Sequence, residues 1–392
     1  MKEKLKLPEM LLYLDILAYF PELSRRGFRT AGEFIDAYLA SAHGDRPKTM
    51  FSGYKPDEET GVVRLVGRMS RIEHIRDLKI CCDSSDTNKY NAVCFTDDLK
   101  SGSGKAVRMI YVILGANYRE GLYESFYGTT STWKDNFLGA VRSDTPEQES
   151  ILKFYDKAIA KALEDLENDL DHRIIVSGHS KAGNLAQYIT VMRDNVDRCY
   201  SFDGQGFSER FLKKYRRQIN KNASRIISIC PDMSIAGALL HNLPGSRKRY
   251  VSTGYLRDKA IPLMPLFCHV PTTLLDKNFR LKPYISGFEP ITDLLHLVSV
   301  HGAKAAVLLP FINEEKALGG IGEGIRHIFE GRAKLAAGSL LNKDTVIVFV
   351  TGLLIAAAAA PAFIISELID KVMFNNDRRY YFGRNVKSLQ AQ

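Results

Sequence analysis

The chain has 392 residues, 45% of them hydrophobic and 25% charged, the composition of a globular protein with a sizeable core, which excludes wholesale disorder. Lysine and arginine number 54 against 45 acidic residues, a net charge of +9; an excess spread along the sequence in this way suits anionic partners such as phospholipid surfaces and does not by itself argue for nucleic acid. Six cysteines, at 81, 82, 94, 199, 230 and 268, form no CxxC pair and no repeated spacing, so neither a zinc site nor a disulfide framework is implied and reduced, mostly buried thiols in a cytosolic compartment are expected.

Residues 1–20 alternate lysines with leucines and then carry Glu9 and Asp15, with Pro21 following, so no N-terminal export signal is evident. Residues 10–42 read as helical, with Leu11, Leu14, Ile16, Leu17 and Phe20 and later Phe34, Ile35 and Tyr38 at helical spacings. Short runs of β-branched and aromatic residues follow at Asn91–Phe95, Ala106–Leu114 and Leu122–Phe126, separated by polar turns and SGSG. From Glu147 to Leu170, the residues Ile151, Tyr155, Ile159, Leu163, Leu166 and Leu170 fall at steps of three and four, predicting an amphipathic helix.

An apolar run, Arg173–Ser177, comes next, then the turn Gly178-His179-Ser180-Lys181-Ala182-Gly183, then an apolar helical stretch to Met192. Helix, buried strand, glycine turn and helix in this order predict an α/β unit with a parallel sheet. Further strands are expected to end at Phe202 and Ile229 and to lie near Tyr250–Ser252. Beyond residue 295 the sequence favours helix, and GGIGEG at 319–324 has no preceding strand, so it reads as a connector and not a dinucleotide loop.

Residues 345–366 carry no charge over a length that can cross about 30 Å of hydrocarbon as a helix. A membrane span is the first reading; the other is a buried core helix, because five consecutive alanines and Pro361 weaken the span. The chain thus divides into an N-terminal helical segment (1–45), an α/β core (46–295), a glycine-containing helical connector (296–344), the apolar helix (345–366) and a basic tail (367–392). Basic residues on both sides of the apolar stretch give only a slight preference for a cytoplasmic C-terminus, so the expected location is cytoplasmic or membrane-associated.

A nucleophile elbow holds a serine on a tight strand-to-helix turn, and the positions two before and two after it must be small because strand and helix pass close together. Gly178, Ser180 and Ala182 satisfy that demand, and the turn puts Ser180 at a helix N-terminus that favours a developing oxyanion. The alternative is a serine that only caps the helix.

The run Gly178–Ala186 resembles the GHSKGGNLA signature of an uncharacterised bacterial family of lipase-like α/β hydrolases, distantly similar to the class 3 lipases. Phe126–Thr129 and Thr132–Phe137 resemble that family's FRGT and TxxGWKEDF segments, Thr145–Gln148 its PxQ, Phe202–Phe207 its DGPGF, and Pro231–Gly237 its PxxSIVG, all in the family's order. The resemblance implies an α/β-hydrolase-like, mostly parallel sheet flanked by helices, here with a helical C-terminal extension. It also implies acyl transfer by a triad in the chain order serine, acid, histidine.

His269, in Phe267–Pro271, stands where the family has QHDP and is the chosen base, with His241 as the alternative. Asp232 is the favoured acid, since the lipase-like pattern puts a carboxylate there, and Asp203 in FDGQGF is the alternative. The oxyanion donors would be the Lys181 N–H and, by similarity to FRGT, Thr129; His179 is carried over as structural. Departures from the pattern are Ala182 for glycine, Tyr127 for arginine, and Cys268 and Val270 for glutamine and aspartate.

The expectation is a serine hydrolase acting on carboxylic esters or thioesters of an apolar or lipid-like small molecule, with no metal or cofactor needed. A catalytically inactive binding or sensing protein on the same fold, at the membrane, is the alternative. The basic runs Lys213–Arg217 and Arg247–Arg249 lack the interleaved exposed aromatics of a nucleic-acid platform; the first reads as a solvated helix face, and with a membrane span both would suit an anionic lipid surface. Oligomeric state is not legible.

Overall fold

The computed structural model describes residues 5–41, 56–87, 90–100, 106–116, 135, 139–140, 142–164, 171–232, 234, 236–253, 268–285, 296, 299–300, 338 and 341. The expected strand at 122–126, Thr129, almost all of the connector, the apolar stretch 345–366 and the basic tail lie outside the described residues.

Four helices lead the chain: α1 (Leu7–Leu17), α2 (Ala31–Ala40), α3 (Pro56–Met69) and the short α4 (Glu73–Arg76). The helical reading of 10–42 is thus divided in two. Turns run from residue 18 to the α2 cap, through Pro21, which cannot donate to a helix, and Gly27, whose φ is +69°. Thr30 restarts the helix, its side chain accepting from the Glu33 N–H.

One eight-stranded sheet follows, in sequential order β1 (Lys79–Asp83), β2 (Tyr90–Lys100), β3 (Ala106–Ala116), β4 (Asp171–His179), β5 (Arg198–Phe202), β6 (Ile226–Pro231), β7 (Arg247–Val251) and β8 (Tyr284–Ile285). β3 to β7 run parallel; β1, β2 and β3 are joined antiparallel, as are β7 and β8. The strands expected at 91–95 and 106–114 are both present and longer, while β1 and the two-residue β8 carry too little pattern to be read from sequence.

Parallel neighbours need crossovers, supplied by α5 (Pro146–Leu163) between β3 and β4, α6 (Lys181–Met192) between β4 and β5, and α7 (Glu209–Lys214) with α8 (Arg216–Asn222) between β5 and β6. Because side chains alternate along a strand, the sheet feeds two cores. Ile110, Val112, Ile174, Val176 and Cys199 pack with α5 and α6; Tyr111, Ile113, Ile175, Tyr200 and Phe202 pack with α1, α2 and α3. This is a three-layer α/β/α arrangement of the α/β-hydrolase-like kind.

The sequence LPEMLLYLDIL of α1 is apolar nearly all round, and Met10 to Leu17 are all buried. A helix of that kind belongs inside a protein. It lies so close to the sheet that a Cβ on Gly115 would sit 2.1 Å from the Ala18 carbonyl oxygen. α1 therefore forms the second cover of the sheet and reaches the ends of the strands that carry the site. Among the described residues no helix is long and apolar enough to cross a membrane.

Candidate active site

β4 ends at His179 and α6 begins at Lys181, so Ser180 alone makes the turn, at φ 62° and ψ −126°. A non-glycine residue is rarely found there, and the surrounding bonds hold it: the Ser180 N–H donates to Phe202 O at 2.9 Å and the Asn184 N–H to Ser180 O at 3.2 Å. The cost of the turn is visible at Gly178, where a Cβ would stand 2.5 Å from the Ala182 carbonyl carbon and oxygen. Ala182 itself is buried and its methyl belongs to the α5/α6 core, so alanine is accommodated at the second small position.

Ser180 is partly exposed at this turn. Its Oγ lies 2.8 Å from His269 Nε2, and His269 Nδ1 lies 2.6 Å from Asp203 Oδ2. Asp203 is fully buried, at the end of β5. Burial alone would push its carboxyl up, but the hydrogen bond and charge of His269, with the Ser234 hydroxyl, hold it below the usual carboxylate range. An ionised Asp203 can only accept, so Nδ1 carries the imidazole proton and Nε2 is left to accept from Ser180. Asp203 Oδ1 accepts from the Ser234 hydroxyl and from the Gly237 N–H at 2.9 Å.

The carboxylate on His269 is thus that of Asp203 and not that of Asp232. The register gives the reason: Phe202 pairs with His179, which sets Asp203 beside Ser180, whereas Asp232 lies two residues beyond Cys230, the residue level with Asp203. Asp232 instead closes the exit of β7, accepting from the Thr253 N–H at 2.7 Å, the Thr253 hydroxyl, and the Ser252 hydroxyl at 3.0 Å. His241 is not on Ser180 either. Its backbone is bridged to Phe207 in both directions, and its ring stands edge-on to His296.

His179 is buried under the site. Its Nδ1 accepts from the Tyr19 hydroxyl at 2.5 Å and its Nε2–H donates to the His269 carbonyl at 2.9 Å, a tautomer assigned from these partners. Burial, and then the neighbouring His269, bring its pKa down to about 3, so the ring is neutral. Tyr19, supplied from beyond the end of α1, carries no sequence signal of a role in the site.

Lys181 leads α6, whose first N–H groups have no partner within the helix. Its side chain turns inward to Asp135 Oδ2 at 2.6 Å, with side-chain exposures of 1% and 9%. The same carboxylate accepts from the Thr145 hydroxyl at 2.6 Å and the Glu147 N–H at 3.2 Å at the start of α5. Gln148 Nε2 then donates to Asn184 Oδ1 at 2.8 Å, and Asn184 Nδ2 to the carbonyls of Gln205 and Gly206. Thr129, the expected second oxyanion donor, lies outside the described residues.

A family model described as Mbeg1-like matches residues 93–252.

That match takes in Ser180, Asp203 and the whole of β4 to β7, and stops before His269. No curated protein matches the chain. Among solved structures, a crystal structure of M37 lipase aligns at 11% identity over 87% of this chain and 99% of that one, with a TM-score of 0.34.

Among the described residues, the donor atoms of His179, Asp203 and His269 lie within 4.8 Å of one another and are the one grouping close enough for a metal ion. They already bond to Tyr19, to Ser180 and to one another or each other's backbone. A bound ion would have to break those bonds.

Proposed function

We propose that the chain is a serine hydrolase acting on carboxylic esters or thioesters, with Ser180 as nucleophile, His269 as general base and Asp203 as the acid that orients it. The observation that carries this reading is the continuous hydrogen-bonded series from Ser180 Oγ through both His269 nitrogens to Asp203. Burial is graded along it, from the enclosed Asp203 to the accessible Ser180.

In the reaction, Ser180 Oγ attacks the carbonyl carbon as its proton passes to His269 Nε2, and Asp203 stabilises the imidazolium. The oxyanion takes hydrogen bonds from the Lys181 N–H and helix dipole at the start of α6 and, by the FRGT likeness, from Thr129. His269 returns its proton to the leaving group, and water then releases the acyl group by the same relay. An apolar or lipid-like substrate follows from the lipase-like motifs. Membrane association through 345–366 rests on the length and apolarity of that stretch, and alkaline carbonate extraction of the full chain tests it.

A fluorophosphonate probe tests the chemistry, because it reacts with a serine whose proton is being removed. Labelling should fall on Ser180 and disappear in Ser180→Ala, with a stability change of about 1 kcal/mol at most. A folded protein that takes up no probe would favour the inactive binding module.

A further inference from the structure

Three thiols that the proposed reaction does not use meet at the β1–β2 edge of the sheet. Ile80 pairs with Phe95 and Cys82 with Cys94, so the register slips by one residue and Cys81 is the extra residue of a bulge. The slip changes which way Cys81 faces. Ile80 packs against the α1-side core, whereas Cys81 packs with Cys82 and Cys94 on the opposite, α5-side core. The Cys81 thiol donates to the Cys94 carbonyl oxygen at 3.4 Å, which sets the two residues side by side. Cys82 turns toward its own chain, its Sγ 3.8 Å from Asp83 O. All three are free thiols; Cys81 is partly exposed and the other two are buried.

The surroundings divide the pair into two roles. The adjoining Cys94 thiol, with the positive charges of Lys161 and Arg108 nearby, holds the Cys81 thiol below its ordinary range. Cys94, beside Cys81 and fully enclosed, is pushed well above it. A partly exposed thiol in a positive setting is the kind that reacts, and a protonated neighbour in contact is the kind that resolves.

We propose that Cys81 and Cys94 are a redox-active pair that a hydroperoxide converts into a disulfide joining β1 to β2. The Cys81 thiolate attacks the distal peroxide oxygen; the O–O bond breaks, the remaining oxygen leaves as alcohol or water, and a sulfenic acid forms on Cys81. The Cys94 sulfur then attacks the Cys81 sulfur, the S–S bond forms, and the hydroxyl departs with the Cys94 proton as water. Two thiols are oxidised and one hydroperoxide is reduced. The reverse step needs an external thiol, which restores both cysteines.

The first test uses the full wild-type chain. Protein exposed to hydrogen peroxide should become two hydrogens lighter, lose two titratable thiols and yield one cross-linked peptide joining Cys81 to Cys94, all reversed by dithiothreitol. Cys81→Ser should abolish the cross-link and Cys82→Ser should keep it. A cross-link through Cys82, a Cys81 that runs on to sulfinic acid without a partner, or thiols that stay intact while Cys81 is open to an alkylating reagent would each overturn the proposal. Because none of these readouts depends on Ser180, failure here is distinct from failure of the hydrolase reading.

Discussion

Asp203 and Asp232 close the ends of adjacent strands, yet His269 Nδ1 donates to Asp203 Oδ2 at 2.6 Å while Asp232 spends its oxygens on Ser252 and Thr253. The two carboxylates should therefore respond differently to the same substitution. Asp203→Asn replaces an acceptor with an amide that lets the imidazole turn to the other tautomer, so fluorophosphonate labelling should fall by roughly 10³–10⁴-fold. Asp232→Asn removes an acceptor from the exit of β7 and should cost about 1–3 kcal/mol in urea unfolding, with labelling of the folded fraction close to wild type. The reverse pattern would return the acid to Asp232.

Tyr19 fixes which nitrogen of His179 carries a proton. With its hydroxyl donating to Nδ1, Nε2–H is free to hold the His269 carbonyl. Tyr19→Phe removes that donor and loosens the hold on the ring. Labelling should slow by up to ~10²-fold, the scale of a small misplacement of reacting groups, and the nitrogen-15 shifts of His179 should show mixed tautomers. A variant that is less stable but labels at the wild-type rate, with the tautomer unchanged, would mean that Tyr19 supports packing and not the position of His269.

Ser180 was legible because an elbow makes a demand on neighbours that a sequence displays: no side chain at 178 and little at 182, between an apolar strand and an apolar helix. Which carboxylate meets His269 was not, because that depends on which residue of β5 lies beside His179, a register that spacing along the chain does not contain. Tyr19 was hidden for a related reason. It stands 160 positions from His179 and meets it only once α1 is laid across the sheet. β1 escaped notice because KICCD is five residues long and its bulge breaks the alternation that marks a strand. Asp135, Gln148 and Asn184 sit in segments that the lipase-like resemblance had picked out, but their bonds to one another become apparent only when the starts of α5 and α6 are side by side.

The Lys181–Asp135 pair is a buried ion pair, and such pairs are costly to break from one side. Lys181→Met leaves a carboxylate enclosed with the Thr145 hydroxyl and the Glu147 N–H as its remaining partners, and should destabilise the protein by about 3–5 kcal/mol. Lys181→Met combined with Asp135→Leu removes both charges and should recover most of that loss. A double-mutant cycle in urea measures the coupling directly. Additive losses would show that Lys181 and Asp135 do not support one another.

Asp15 gives the pH-dependent case. It is fully buried on α1, accepts one bond from the Ser177 hydroxyl at 2.8 Å, and has its Oδ1 without a hydrogen-bond partner among the described residues. Burial raises its pKa well above the ordinary carboxylate range, outweighing the Ser177 bond. A carboxyl whose folded-state pKa is raised binds its proton more tightly when folded. Its contribution to stability is therefore complete below the unfolded-state value and is lost as the pH climbs through the folded-state value. Asp15→Asn keeps the shape and an acceptor for Ser177 but cannot ionise. The melting temperature of the variant relative to wild type should rise as the pH climbs above the unfolded-state value and level off beyond the folded-state value, and thermal scans of both proteins from acid to alkaline pH check it. A difference that stays constant with pH would mean that Asp15 does not titrate differently in the folded and unfolded chains.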